Sequence, residues 1–193
     1  MLSAVQLSVE LIFGLLAAGV VAGIVLSRWS RLCGWICSIA VAGAAGASGW
    51  LGAIVWGAAP VDVSFGSLGA APIAFHFTKL NLIFVWLVLG LGTVATVYSV
   101  RYIAHSAREP GMPPHPVMRY YPLLMLFLGS MAAVVCIPNL LSFFIAWSIM
   151  SLSGLALILH EYHKPDVLRA GIKFALFTLV GNTAIFVAIM LLH

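Results

Sequence analysis

The sequence predicts an all-α, polytopic transmembrane helix bundle with about six spans. Only 7% of the 193 residues are charged and 63% are hydrophobic, whereas about 25% of residues are charged in a water-soluble chain. The apolar segments run continuously for about 20 residues, the length that an α-helix needs to cross a bilayer. Strands of a transmembrane β-barrel would alternate apolar and polar residues over about half that length.

Polar and proline-rich stretches separate the spans. No basic residue precedes the first span, so we expect no cleaved signal peptide. Between the second and third spans, Val61–Phe65 predicts a short extended piece lying on the surface. Prolines from Pro110 to Pro116 oppose a continuous helix between the third and fourth spans. We therefore predict one transmembrane domain over residues 1–193, with spans at 8–26, 32–56, 80–102, 120–137, 140–159 and 168–192.

The second span is rich in glycine and alanine. No hydrophobic effect drives helices together within lipid, so small side chains that allow close backbone approach favour association there. A glycine-rich stretch would indicate a linker in a soluble protein. Here it predicts a packing face.

Basic residues are distributed unequally between the two sides of the predicted bundle. Seven follow the first, third and fifth spans, and one, Lys79, lies on the opposite side. Because cytoplasmic loops are enriched in Lys and Arg, we expect both termini on the non-cytoplasmic side. This distribution explains the net charge of +4 without a nucleic-acid partner. The seven residues are Arg28, Arg31, Arg101, Arg108, Arg119, Lys164 and Arg169.

Aromatic residues cluster near the predicted span ends, as is typical of residues that anchor helices at the two membrane–water interfaces. We expect them to form an interfacial belt that requires no ligand. The residues are Trp29, Trp35, Trp50, Trp56, Tyr98, Tyr102, Tyr120, Tyr121 and Tyr162.

Polar side chains within the fifth and sixth spans are the candidate functional residues, because polar groups are costly inside lipid. Ser148 either lines a hydrated path or bonds to a carbonyl one turn back. Lys173 either relays protons or extends to the headgroups. Asn182 is expected to find an interhelical partner. A serine or an asparagine cannot by itself take up and release a proton at physiological pH. The proton-path candidates are Lys173, Ser148 and Asn182.

The sequence predicts no cofactor, no metal site and no catalytic centre. It contains no phosphate loop, dinucleotide fingerprint or cysteine cluster, so redox chemistry would belong to another subunit. Cys33 and Cys37, four residues apart, and Cys136 are expected to be buried small apolar residues. The six histidines lie at predicted interfaces, loops or the terminus, and a small haem-binding membrane protein is a third alternative for the function.

Three segments carry a resemblance to a known family. Asn139–Ser153 resembles the fifth helix of antiporter-like membrane subunits, residues 170–183 resemble the next helix, and Val97–Tyr102 resembles the end of the third. Such subunits occur in respiratory complex I, in multisubunit cation/proton antiporters and in group 4 membrane-bound hydrogenases. Met150–Ser153 is most similar to the large membrane subunit of hydrogenase-4 and formate hydrogenlyase. The resemblance implies a lipid bilayer and other membrane subunits as partners.

The chain departs from the family pattern in two ways. Ser148 stands where the family typically carries a glutamate, and Leu179 and Asn182 lie where complex I members commonly carry an arginine and an aspartate; Lys173 matches a lysine of many members. Family members also continue into a further helix with an essential lysine and then into a second, inverted repeat. We therefore expect a shortened subunit, with another chain supplying the missing C-terminal helices.

Two functions of different classes follow from this resemblance. The first is a shortened antiporter-like subunit of a respiratory NADH-quinone oxidoreductase or membrane-bound hydrogenase complex, in the cell inner membrane, with a role in proton translocation or membrane-arm assembly. The alternative is a degenerate, non-conducting structural fragment. In either case the resemblance implies a non-catalytic subunit of an oxidoreductase complex rather than an enzyme in its own right.

Overall fold

The computed structural model describes residues 2–26, 29–57, 60–68, 71–106, 116–162 and 164–192. Several residues used in the sequence analysis lie outside these ranges, or have side chains outside the description. They include Arg28, Arg108, His115, His163 and His193, and the side chains of His105 and Arg119. The proline-rich stretch from Pro110, predicted to oppose a continuous helix, also lies outside the described residues up to position 115.

Six α-helices make up most of the described chain. Five of them are long and apolar enough to cross a membrane, and the remaining one, the fourth, contains a shorter apolar stretch, Tyr120–Cys136. A short 3₁₀ turn, Leu159–Glu161, follows the fifth helix. The predicted class, an all-α polytopic bundle, is confirmed. The helices are α1 (Leu2–Val25), α2 (Ser30–Trp56), α3 (Lys79–Ser106), α4 (Pro116–Cys136), α5 (Leu140–Ile158) and α6 (Pro165–Leu192).

The core lies among the first four helices. α1 packs against α2 and α4, and α3 packs against the same two helices. Each helix contributes fully buried apolar side chains, among them Val9, Leu51, Leu89 and Met125. The three cysteines are buried in this core as predicted.

One side of α2 is the predicted packing face. Ala40 and Ala44 are buried, and a Cβ added at Gly52 would run into the indole of Trp86 on α3. Gly46 and Gly49 instead face open space. The glycine- and alanine-rich composition therefore serves close packing on one side of α2 only.

A β-hairpin connects α2 to α3. Its strands, β1 (Val61–Leu68) and β2 (Ala71–Phe77), pair antiparallel with a bulge between Ser64 and Gly66. Gly66 has a φ of 113°, which side chains other than glycine rarely tolerate. The extended conformation expected for residues 61–65 is present, but the second strand was not predicted.

The hairpin has a buried face and an exposed face. Val63, Phe75 and Phe77 are buried, and the ring of Phe75 stacks on Phe13 of α1 with a centroid separation of 4.6 Å. The expectation that this piece only lies on the surface is therefore wrong for its inner face, because alternate side chains of a strand point to opposite sides.

The interfacial aromatic belt stays a prediction for most of its members, but it is wrong for Tyr121. The predicted tryptophans and the tyrosines at positions 98, 102 and 162 are exposed, whereas Tyr121 is fully buried. A Cβ added at Gly34 would meet its hydroxyl, so the phenol is enclosed between α4 and α2. The glycine at position 34 provides the space that Tyr121 occupies.

Candidate functional site

The candidate site begins with the N-terminal cap of α5. The side-chain Oδ1 of Asn139 accepts hydrogen bonds from the backbone amides of Leu141 (3.0 Å) and Ser142 (3.2 Å). It thereby satisfies two of the amides that lack a partner at a helix start. Pro138, directly before the cap, has no amide hydrogen to donate. These two residues set where α5 starts.

A hydrogen bond joins the middle of α5 to α6. The indole Nε1 of Trp147 donates to Oδ1 of Asn182 over 3.0 Å, and both side chains are half-buried. The interhelical partner expected for Asn182 is thus Trp147. The bond fixes the register of the two helices and satisfies two polar groups that would otherwise meet hydrocarbon.

Aromatic and glycine contacts hold the same pair of helices together. Phe144 of α5 packs on Phe186 of α6 with ring centroids 5.6 Å apart. Gly171 is buried near the start of α6, and a Cβ there would run into the side chain of Leu159. The helices therefore approach closely at one end and are bridged by side chains along the rest.

Ser148 follows Trp147 on α5, but its hydroxyl is used within its own helix. Its Oγ donates to the carbonyl oxygen of Phe144 over 2.7 Å. Ser153 bonds in the same way to the carbonyl of Ile149. Of the two interpretations open for Ser148, a hydroxyl bonded one turn back describes its geometry here.

Lys173 is exposed on α6 and is separated from the other two candidates. It lies nine residues before Asn182, about 13 Å along the helix axis. No described carboxylate lies within ion-pair distance of it. Of the three candidates, Asn182 therefore contacts Trp147, the residue before Ser148, whereas Lys173 lies apart from both Ser148 and Asn182.

The outer face of α6 is exposed along the second half of the helix. Its side chains include Thr183, Ala184 and Ala188. Only 6% of the apolar window of α6 is buried inside the structure, against 44% for α2. Most of the α6 surface therefore faces surroundings that lie outside the described chain.

The described residues contain no group of three or more His, Cys, Asp or Glu side chains that could hold a metal ion. His76 lies on the hairpin, and His160 lies in the 3₁₀ turn at the opposite end of the bundle. These two histidines cannot bind one haem. Within the described part of the chain, the α5–α6 pair offers hydrogen-bonding groups and a lysine. The carboxylate of Asp166 lies exposed in the first turn of α6, beside Arg169 and away from Trp147 and Asn182.

Sequence reasoning missed a polar cluster at the other end of the core. His160 was expected in a loop, yet it is buried, and its ring packs on Tyr120 with a centroid separation of 5.3 Å. Tyr120 in turn packs on Tyr121 at 5.4 Å. The sequence does contain a signal for the burial of His160: the residue directly follows the apolar fifth span, with no turn residue between them.

Comparison with known proteins agrees with this arrangement of helices. Residues 138–193, which hold α5 and α6, match the family model "NADH:quinone oxidoreductase/Mrp antiporter, TM". This part of the chain is therefore similar to antiporter-like membrane subunits. The family resemblance predicted from α5 and α6 is thereby confirmed, while the closer likeness to hydrogenase-4 stays a prediction.

Two curated relatives show how much of longer proteins this chain matches. It is 28% identical over 114 residues to one of the subunits of the Na⁺/H⁺ antiporter of Alkalihalophilus pseudofirmus. It is 30% identical over 113 residues to NADH-quinone oxidoreductase subunit L of Mycobacterium tuberculosis. The matches cover 59% and 58% of this chain, but only 13% and 17% of those relatives.

A solved structure shares the fold over nearly the whole of this chain. A chain of the Mrp complex from a Dietzia species superposes with a TM-score of 0.71. The superposition covers 95% of this chain and 19% of that one, at 22% sequence identity. The likeness therefore extends beyond residues 138–193 and includes the first four helices, as a likeness of fold.

Proposed function

We propose that this protein is an antiporter-like subunit of a multisubunit complex in the cell inner membrane and takes part in proton translocation together with partner chains. The complex would be a quinone oxidoreductase, a cation/proton antiporter or a membrane-bound hydrogenase. The observation that supports this most is the α5–α6 pair, which lies within the family match and is joined by the Trp147–Asn182 hydrogen bond.

The exposure of α6 supports a role among partner chains. A helix that is apolar on all sides and buries little of its surface within its own chain must face lipid or other membrane helices. The outer face of α6 around Thr183 presents small side chains, which suit close approach of another helix. A second chain that continues the antiporter-like repeat would fit there.

Co-purification tests the proposal. The protein, tagged in its native cells and extracted in mild detergent, should elute with subunits of one of the three assemblies, and their identity decides which assembly it serves. The same tag on an unrelated polytopic membrane protein controls for non-specific association. Elution of the correctly folded protein without any such subunit would contradict the proposal.

The second candidate function is a non-conducting packing or assembly module. It is favoured by Ser148, whose hydroxyl is bonded within α5, and by Lys173, which has no described carboxylate beside it. Neither residue then has to move a proton. The module would hold neighbouring subunits together through α6.

Replacing Lys173 by Ala separates the two functions. A conducting subunit should lose most proton-coupled activity of the assembled complex, because the variant removes a titratable group from α6. A packing module should keep that activity. Lys79→Ala provides the matched control, because Lys79 lies over the ring of Trp56 at the start of α3, far from α6. Complex abundance is measured in parallel, so that loss of assembly is not mistaken for loss of conduction.

A further inference from the structure

We propose that His160 takes up protons from the cytoplasmic side of the membrane and that the hydroxyl of Tyr121 lies on the path that leads them inwards. This inference rests on the proposed role in proton translocation and deepens it. It assigns the uptake step to residues other than Ser148, Asn182 and Lys173.

Burial and residue type together single out His160. The other buried polar residues among the described ones are serines, a threonine, a tyrosine and thiols. Histidine is the side-chain type that ordinarily changes charge between pH 5 and 8, whereas hydroxyls and phenols do not. Within the described chain, His160 is thus the buried side chain suited by type to bind and release protons near neutral pH.

His160 also lies at the right end of the bundle. The 3₁₀ turn that carries it packs against α4, α5 and α6. The distribution of basic residues predicts that this end faces the cytoplasm, since Arg31, Arg101 and Arg169 belong to it. A proton from the cytoplasm reaches this turn before it reaches the middle of α5.

An aromatic ring lies against the imidazole. The ring of Tyr120 is 5.3 Å from it, centroid to centroid, with the two ring planes inclined by 62°. This edge contact joins the turn that carries His160 to the start of α4.

Tyr121 extends the polar cluster towards the core. Its hydroxyl is buried and has no hydrogen-bond partner among the described atoms. The Ser99 side chain lies beside the phenols of both Tyr120 and Tyr121, and its hydroxyl hydrogen is donated to the carbonyl of Thr96. Buried hydroxyls are nearly always partnered, so the Tyr121 hydroxyl is suited to exchange hydrogen bonds with water that carries a proton past it.

The proton balance is simple. A proton from cytoplasmic water binds the lone pair of the neutral imidazole of His160 and gives an imidazolium. Transfer of that proton to water beside the Tyr121 hydroxyl restores the neutral ring. One N–H bond forms and later breaks, and nothing is oxidised or reduced.

Several ionisable groups surround His160 and bear on its protonation. α4 contributes Tyr120 and Tyr121, together with Arg119, whose side chain is outside the description. The last turn of α5 contributes none, since residues 154–158 are all apolar. On the α6 side are Lys164 and an exposed pair, Asp166 and Arg169, with an N–O distance of 3.8 Å. Glu161 and His163 are adjacent in sequence, and their side chains lie outside the description.

Two variants of the assembled complex test the inference. Both are measured in inverted membrane vesicles, as proton uptake between pH 6 and 8 driven by the electron donor or ion gradient of the complex with which the protein co-purifies. His160→Gln should lower uptake by about a hundredfold, the smaller end of the effects of removing a proton-transfer group, and should flatten the pH profile. Tyr121→Phe, which removes one unpartnered hydroxyl, should lower uptake several-fold at unchanged abundance. His76→Gln, on the exposed face of the hairpin, should change neither.

The outcomes separate this inference from the proposed function. Deletion of the whole protein without loss of proton uptake overturns the proposed function and the inference with it. Loss on deletion, with normal uptake and pH profile in an assembled His160→Gln complex, overturns the inference alone. If His160→Gln does not assemble, Tyr121→Phe decides. A purely structural hydroxyl predicts unchanged uptake and equal or greater stability, and that result would overturn the path.

Discussion

Replacing Gly52 by Ala should destabilise the core, whereas the same change three residues earlier should not. At Gly52 the new methyl group would run into the six-membered ring of Trp86, whose Cη2 would lie 3.0 Å away. At Gly49 it would meet nothing within 4 Å. Both glycines lie on α2, so the two variants differ mainly in what the added methyl group touches.

The magnitude follows from the contacts that hold Trp86. Its Nε1 donates to the carbonyl oxygen of Ser48 over 2.9 Å, and its ring stacks on Trp56 with centroids 6.0 Å apart. Moving the ring weakens both contacts. The hydrogen bond contributes about 0.6 kcal/mol to stability when it joins membrane helices, and the aromatic stack contributes about 1 kcal/mol. Residual strain from overpacking costs about 1 kcal/mol more. Alanine gains about 1 kcal/mol over glycine in a helix at both positions.

The difference between the two variants therefore isolates the displaced ring. We expect Gly52→Ala to be less stable than Gly49→Ala by about 2–3 kcal/mol, from the sum of these contributions. Reversible SDS titration of the purified protein, followed by circular dichroism, measures both free energies of unfolding. Equal stabilities within about 0.5 kcal/mol would show that Trp86 moves without loss and would refute the packing argument.

Three further changes test α5 and its contact with α6. A double-mutant cycle of Trp147→Phe and Asn182→Leu, read by SDS titration, should give a coupling energy of about 0.6–1.7 kcal/mol; zero coupling would mean that the bond does not form. Ser148→Ala should change stability by less than about 0.5 kcal/mol and leave proton uptake unchanged, because its hydroxyl serves only the carbonyl of Phe144; a marked loss of uptake would return Ser148 to the proton path. Asn139→Ala should cost about 1 kcal/mol by removing the cap of α5, and an unchanged unfolding midpoint would contradict that role.

The helices could be predicted from the sequence because their signal is continuous. Apolar runs of membrane length, bounded by basic or proline-rich stretches, require only composition and length to recognise. The signal at the start of α5 is also local, since the Asn139 side chain caps the helix that follows it. The resemblance of α5 and α6 to antiporter-like subunits predicted which known proteins would be similar to this chain.

The hairpin and the polar cluster were less visible because they depend on contacts between distant residues. Pairing of Val61 with Phe77 requires a chain reversal that no strong two-residue turn motif announces. Burial of Tyr121 depends on the missing side chain at Gly34, on another helix. The position of a tyrosine near a span end favours the interface, and tertiary packing overrides that preference here.

The unequal burial of the helices has a consequence for how the chain tolerates sequence change. Core positions on α2 and α3 are restricted by partners within the same polypeptide. For α6, only 6% of the apolar window is buried by the chain itself, so restrictions on its remaining positions must come from neighbouring molecules. If lipid alone surrounds the outer face, any apolar side chain will serve at Ala184 or Ala188. If another helix lies against it, those two positions will accept only small residues, and the substitution pattern of α6 will record the footprint of its neighbour.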